Sequence, residues 1–154
     1  MHVIPSYLKM LLKGFFVSNP LTITIPEETI GATASGGLSC VANADFKQRV
    51  DVEVTDSNGA KIEGQFKGSG NGTSMTLSDG KKHLNFSELE APIDVKMQFS
   101  YDSGSGYQDN RSNEVFEKID FNNSKVKAYT VRTEDSVDND NNDTYLTLVA
   151  LMHN

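Results

Sequence analysis

The chain has no tryptophan, one cysteine, four prolines and three histidines in 154 residues. A lone thiol, Cys40, excludes an internal disulfide framework and any zinc cage built from cysteines. The histidines, His2, His83 and His153, are scattered, which counts against a transition-metal site. Also missing is an apolar run of the roughly 18 residues that a membrane-spanning helix requires. Basic residues are in deficit, 14 Lys and Arg against 21 Asp and Glu, for a formal charge of −7. That balance argues against nucleic acid as the main partner, because phosphate binding relies on Lys and Arg displacing counterions. No G-x-S-x-G elbow, Walker A loop or complete G-x-G-x-x-G is present, so common nucleophile and phosphate-binding motifs are out.

What remains suits one globular domain. The length is short for two packed domains, and 37% hydrophobic with 8% aromatic residues is enough for a core. The acidity is local. Residues 134–143, EDSVDNDNND, hold five carboxylates and no base, and taking those five from the −7 leaves −2 for everything else.

Residues 1–20 differ in texture from the rest and read as an N-terminal extension, helical or disordered. Leu8, Leu11, Leu12 and Phe15 fall at helical spacing, with Lys9 and Lys13 on the other side. A secretory signal is the sharper reading, but Lys13 splits the apolar run and no A-x-A-like cleavage site follows.

From Leu21 to Asn154 the pattern has period two and is broken by turns. VDVEV (50–54) alternates Val with acid, Asn58-Gly59 is a favoured hairpin pair, and KIEGQF (61–66) is the expected return strand. SMTLS and KHLNF flank Asp79-Gly80 and read as a second hairpin. DVKMQFSY (94–101) puts Val95, Met97, Phe99 and Tyr101 on one face. VFEKIDF, KVKAYTV and TYLTLVALM complete eight or nine short strands, which predicts an all-β, antiparallel β-sandwich. GSGNG (68–72) and GSG (104–106) read as loop tips.

The last strand is apolar on both faces, with Leu146, Leu148, Ala150 and Met152 on one and Tyr145, Val149 and Leu151 on the other. Either it is central and buried on both sides, or one face is covered by a second subunit.

The stretch 134–143 carries the chemistry. Carboxylates packed this closely in one loop repel unless a cation neutralises them, and Asp, Glu and Asn oxygens are the ligands hard cations such as Ca²⁺ prefer. One Ca²⁺ offsets two charges, so five carboxylates suggest two ions sharing ligands. Asp138-x-Asp140-x-Asn142 copies the start of an EF-hand, but Asp143 stands where that loop needs Gly and Val149 where it needs Glu. A solvated acidic turn and a purely structural Ca²⁺ clamp stay open on residue type alone.

The stretch also resembles the calcium loop of the bacterial calcium-mediated lectins, the fucose- and mannose-binding LecB-type proteins. Their loop runs approximately E-D-G-T-D-N-D-Y-N-D before a final strand, and seven of the ten positions are identical here. VANADFKQRVDVEV (41–54) resembles the family segment in which an Ala-Asn pair precedes a specificity loop, and ITIPEETIGATA (23–34) its opening strand.

Carried over by position, the resemblance implies two adjacent Ca²⁺ ions. Glu134 and Asp138 would bind one, Asn43 and Asn142 the other, and Asp140 and Asp143 would bridge them. Asp135 would accept a hydrogen bond from a sugar hydroxyl. The C-terminal carboxylate of a partner subunit reaches into the site in that family, which points here to Asn154. The triplet Ala44-Asp45-Phe46 occupies the place that tunes sugar choice, and a small apolar first residue accompanies a mannose preference, whereas Ser accompanies fucose. Phe46 reads equally as core or as a platform for a sugar's apolar face. The expected partners are glycans ending in mannose- or fucose-like sugars, bound by a homodimer or higher oligomer with no catalysis. A Ca²⁺-stabilised adhesion or assembly module is the alternative, and a glycan-active enzyme a third. Carboxylates committed to Ca²⁺ serve poorly as the proton donor that glycoside hydrolysis needs.

Overall fold

The structure, a computed structural model, describes residues 16–17, 20–25, 31–110, 112–120, 125–134 and 143–153. Ten strands occur among them: β1 (Phe16–Val17), β2 (Leu21–Ile25), β3 (Thr33–Thr55), β4 (Lys61–Ser74), β5 (Leu84–Glu90), β6 (Ile93–Asp102), β7 (Tyr107–Asp109), β8 (Ser112–Asp120), β9 (Val126–Glu134) and β10 (Thr144–His153). Every pairing is antiparallel. The alternation written in the sequence is what the sheets bury. Val50, Val52 and Val54 of β3, and Val95, Met97 and Phe99 of β6, all lie in one core with Leu146, Leu148 and Ala150 of β10.

The 23-residue β3 organises the sandwich. Held straight, it would run about 75 Å, several times an ordinary strand. Instead it serves two layers. Residues 33–42 pair with β10 on one edge and, from 33 to 38, with β5 on the other. Residues 47–55 pair with β6 and, from 48 to 55, with β4. Between the halves the register against β4 shifts twice, at Ala42/Ala44 and at Ala44/Gln48. Such bulges bend a strand and raise its twist, which lets one strand pass from layer to layer. The path β1-β8-β9-β10-β3-β6-β2 is therefore one continuous sheet curled on itself around a shared core.

Close approach of β10 to β3 depends on Gly36, which pairs with Ala150. A Cβ at this position would run into the carbonyl oxygen of Val149.

Three expectations change. The count is ten strands among the described residues, two of them very short. Asp79-Gly80 does form a turn, with Gly80 at φ +83° and its N–H donating to the Leu77 carbonyl at 2.9 Å. Its flanks do not pair as a hairpin, however: β5 pairs with β3, and Thr76 bridges to Lys67. GSGNG is not a loop tip but part of β4, where Gly68 opposes Gln48 and a Cβ on it would sit 2.9 Å from Met75. GSG (104–106) is a tip, closed by Asp102, whose Oδ1 accepts from the N–H of Gly104 at 2.7 Å and of Gly106 at 3.0 Å.

Of the N-terminal twenty residues, 1–15, 18 and 19 lie outside the described residues, and Phe16–Val17 pair with Glu114 and Asn113 of β8. No helix among the described residues is long and apolar enough to cross a membrane. Strand β10 is central, flanked by β9 and β3, yet it is buried on one face only. Val149 and Leu151 on the other face remain 39% and 45% exposed.

Candidate functional site

Three oxygen-bearing residues meet where the ends of two strands lie beside the middle of a third. Thr144, the first residue of β10, pairs with Thr133 of β9 on one side and Ala42 of β3 on the other. Asp143 immediately precedes Thr144; Glu134 and Asn43 immediately follow its two partners. Backbone hydrogen bonds hold the row: Asn43 N–H donates to the Asp143 carbonyl at 2.8 Å, and Asp143 N–H to the Thr133 carbonyl at 3.0 Å. With strands about 4.8 Å apart, Asn43, Asp143 and Glu134 fall within roughly 10 Å of one another along the row. Residues more than ninety positions apart in sequence are thereby brought together by strand order alone.

Both acids are buried, Glu134 at 1% and Asp143 at 5% exposure. Burying carboxylates is costly unless hydrogen bonds or cations compensate them, so two at one strand end mark a place built for polar chemistry. The Asn43 side chain is itself positioned, because its Oδ1 accepts from the Gly72 N–H of β4 at 3.2 Å. An amide oxygen has two lone pairs, and this bond uses one. The donors are oxygens throughout, hard ligands suited to Ca²⁺ rather than to zinc or copper. Among the described residues no group of three or more His, Cys, Asp or Glu side chains is gathered at one point. Asp135, Asp138, Asp140, Asn142 and Asn154 lie outside the described residues.

The triplet Ala44-Asp45-Phe46 sits in the irregular stretch of β3, directly after Asn43. Ala44 opposes Gly70, Asp45 is exposed, and half-buried Phe46 stacks on Tyr101 with ring centroids 6.0 Å apart. Phe46 is thus neither in the core nor fully open, since one side of its ring faces Tyr101. The bulge that carries the triplet lies beside the strand ends that carry the acids.

Sequence reasoning did not single out the residues that brace this region. Gln48 is fully buried; its Oε1 accepts from the Thr144 hydroxyl at 3.0 Å and its Nε2 donates to the Phe46 carbonyl at 3.4 Å. Counting back in twos from Val50 puts Gln48 on the core face, which is the signal that would have marked it. On the other side of the row, buried Asn110 donates through Nδ2 to Thr133 Oγ1 at 2.8 Å. No local pattern announces that contact.

The family model of fucose-binding lectin II (PA-IIL) matches residues 28–151, which include the triplet, the acidic stretch and all but the last two residues of the final strand. Among solved structures, a high-affinity mannose-binding lectin of Ralstonia solanacearum is similar at 23% identity and a TM-score of 0.50, covering 83% of this chain and 93% of its own. The C-terminal domain of the BC2L-C lectin of Burkholderia cenocepacia is similar at 15% identity and a TM-score of 0.50, covering 88% and 97%. At those identities the likeness establishes the fold. No curated protein sequence matches the chain. The family match spans most of the chain, and the chain belongs to the fucose-binding lectin II (PA-IIL) family.

Proposed function

We propose that this protein is a calcium-dependent lectin that binds a terminal mannose- or fucose-like sugar, with two adjacent Ca²⁺ ions held by the acidic stretch and Asn43. The observation that carries the reading is the convergence of Asn43, in the middle of β3, with Glu134 at the end of β9 and Asp143 before β10, the two limits of the stretch with the calcium-loop pattern. Glu134 and Asp138 would hold one ion, Asn43 and Asn142 the other, and Asp140 and Asp143 both, with Asn154 of a second copy contributing its terminal carboxylate. When bound, the ions supply Lewis-acid chelation of vicinal sugar hydroxyls, which are weak ligands for a single hydrated ion.

The protein's own residues do the rest. Asp135 accepts from a sugar hydroxyl, a charge-assisted hydrogen bond stronger than a neutral one. Ala44 leaves room at the first place of the triplet, which favours mannose, and Asp45 and Phe46 border the sugar. The bulge in β3, anchored by Gln48, fixes this edge before the sugar arrives, so little ordering entropy is lost on binding. A second copy covers the outward face of β10, and paired sites give avidity on a glycan surface.

Mannose- and fucose-substituted beads test the proposal. Retention with Ca²⁺ and release by EDTA are expected, and Asp140→Ala loses both sugar retention and the rise in melting temperature that Ca²⁺ produces. Blank beads and a blank glycan array, with Ca²⁺ still raising the melting temperature, would leave a Ca²⁺-stabilised assembly module instead. Turnover of an aryl glycoside would make it an enzyme.

A further inference from the structure

Next to the triplet is a cleft of about 450 Å³ whose walls carry positive charge on an otherwise acidic protein. Lys47 lines it from the end of the β3 bulge, one residue after Phe46; Lys67, Gly68 and Ser69 line it from β4, and Asp102 and Tyr107 from β6 and β7. Arg49 supports the wall, its guanidinium carbon 4.2 Å from the centre of the Tyr107 ring. Arg49 is also paired with Asp51 at 3.3 Å, so its charge is partly used.

The two lysines differ from Arg49. Among the described residues, ion pairs form at Arg49–Asp51, Lys61–Glu53 and Lys81–Asp79, and neither Lys47 nor Lys67 joins one. Lys67 Nζ lies 6.0 Å from the centre of the Tyr107 ring. The acid in the cleft, Asp102, is engaged by backbone, since its Oδ1 accepts from the N–H of Gly104 and of Gly106. Those two bonds hold its carboxyl below the usual carboxylate range, with the Lys47 charge adding to the effect. Asp102 faces Lys47 across β3 and β6 and tempers the positive field without closing an ion pair with it.

An open cleft with two ammonium groups outside any close ion pair among the described residues, the Ser69 hydroxyl and an aromatic edge has the chemistry to hold a small anion attached to a polar ring. Its place in the chain gives the occupant. Lys47 continues the strand that presents Ala44, Asp45 and Phe46, and Lys67–Ser69 belong to the strand segment whose Gly68 and Gly70 oppose Gln48 and Ala44. A glycan whose terminal sugar sits at the triplet would run its next residue along this edge.

We propose that this cleft is a second subsite for an acidic glycan, in which Lys47 and Lys67 bind the carboxylate or sulfate of the sugar adjoining the terminal one. The proposal rests on the reading of the neighbouring site as a sugar site. Lys47 and Lys67 supply charge, Ser69 a hydroxyl, and Tyr107 a surface for the ring.

The test uses isothermal titration of the full chain in Ca²⁺ with three disaccharides sharing a terminal mannose: a neutral second sugar, a uronic acid and a 6-sulfated sugar. Both charged ligands should bind about five- to tenfold more tightly than the neutral one at low ionic strength, with the advantage shrinking at high salt. Lys47→Gln/Lys67→Gln should bring the charged-to-neutral ratio to about one, and Lys47→Glu/Lys67→Glu below one. Both lysines are exposed, so unchanged circular dichroism and melting temperature will accompany either variant. Equal affinity for all three ligands, or a preference that survives the double variants, overturns the subsite. A preference for uronate alone or sulfate alone that the lysine variants abolish identifies which anion the subsite takes. Failure of the neutral disaccharide to bind overturns the calcium-dependent sugar site instead. Charged ligands held through the lysines even in EDTA would then uphold the cleft.

Discussion

The Thr144 hydroxyl donates to Gln48 Oε1 across 3.0 Å in buried surroundings, joining residues 96 apart in sequence. One end of this bond is the first residue of β10, directly after Asp143; the other lies two residues beyond Phe46. The bond locks the strand end next to Asp143 to the bulge that carries Ala44, Asp45 and Phe46. A buried side chain therefore sets the relation between the two parts of the candidate site.

Gln48→Leu leaves a buried hydroxyl without its acceptor, and the expected loss is about 1–3 kcal/mol of stability. Gln48→Leu combined with Thr144→Val removes both polar groups and should cost less than Gln48→Leu alone. Urea unfolding of the single and double variants reads this directly. A double variant as unstable as the sum of the singles would mean that the pair acts through packing and not through its hydrogen bond.

Gly36→Ala should be among the most damaging single-methyl changes in the chain. The added Cβ meets backbone, the Val149 carbonyl, which no rotamer change can move aside. A loss of about 2 kcal/mol or more is expected, seen as a lower urea midpoint at unchanged slope. Gly59→Ala is a useful contrast, because its φ of +86° is strained for Ala although a Cβ there meets nothing within 4 Å. Its cost should be about 1 kcal/mol.

Val149 and Leu151 stand outward from β10 beside Gly37 and Ser35 of β3, with Ala128 and Val126 of β9 on the other edge. This smooth, weakly polar face suits a second copy laid against it. Val149→Lys and Leu151→Glu should each shift the protein to monomer in sedimentation velocity. Each should also weaken retention on densely coated glycan beads more than binding of a single free sugar. Unchanged sedimentation in both variants would remove this face as the subunit contact.

Much of the fold is legible because its information is local. Alternation at i and i+2 marks which side of VDVEV and DVKMQFSY meets the core, and it does so whatever the strands' neighbours are. Asn58-Gly59 points to a turn for a reason equally local, since Gly59 takes φ +86° there. The Asp79-Gly80 turn is local in the same way, but the pairing of its flanks is not. The residues after it have a better partner in β3 than in the segment before them, and no turn dipeptide encodes that competition. GSGNG escapes a local reading for a related cause. Two glycines of a kind that usually loosens a chain, Gly68 and Gly70, are placed in β4 where Met75 and the Thr73 side chain leave little room for a Cβ.

The sequence by itself determined an all-β chain, the surfaces its strands bury, and an oxygen-rich stretch whose residue types suit a hard cation. Those properties follow from alternation, turn chemistry and charge, all readable within a window of about ten residues. Only the tertiary structure decided that β3 serves both layers and that Gln48 grips Thr144. It alone set Asn43 beside Asp143 and Glu134, and Lys47 in one cleft with Lys67 and Tyr107. These are consequences of strand order and register, selected by burying one common core, and residues far apart in the chain carry no local mark of the neighbours that choice gives them.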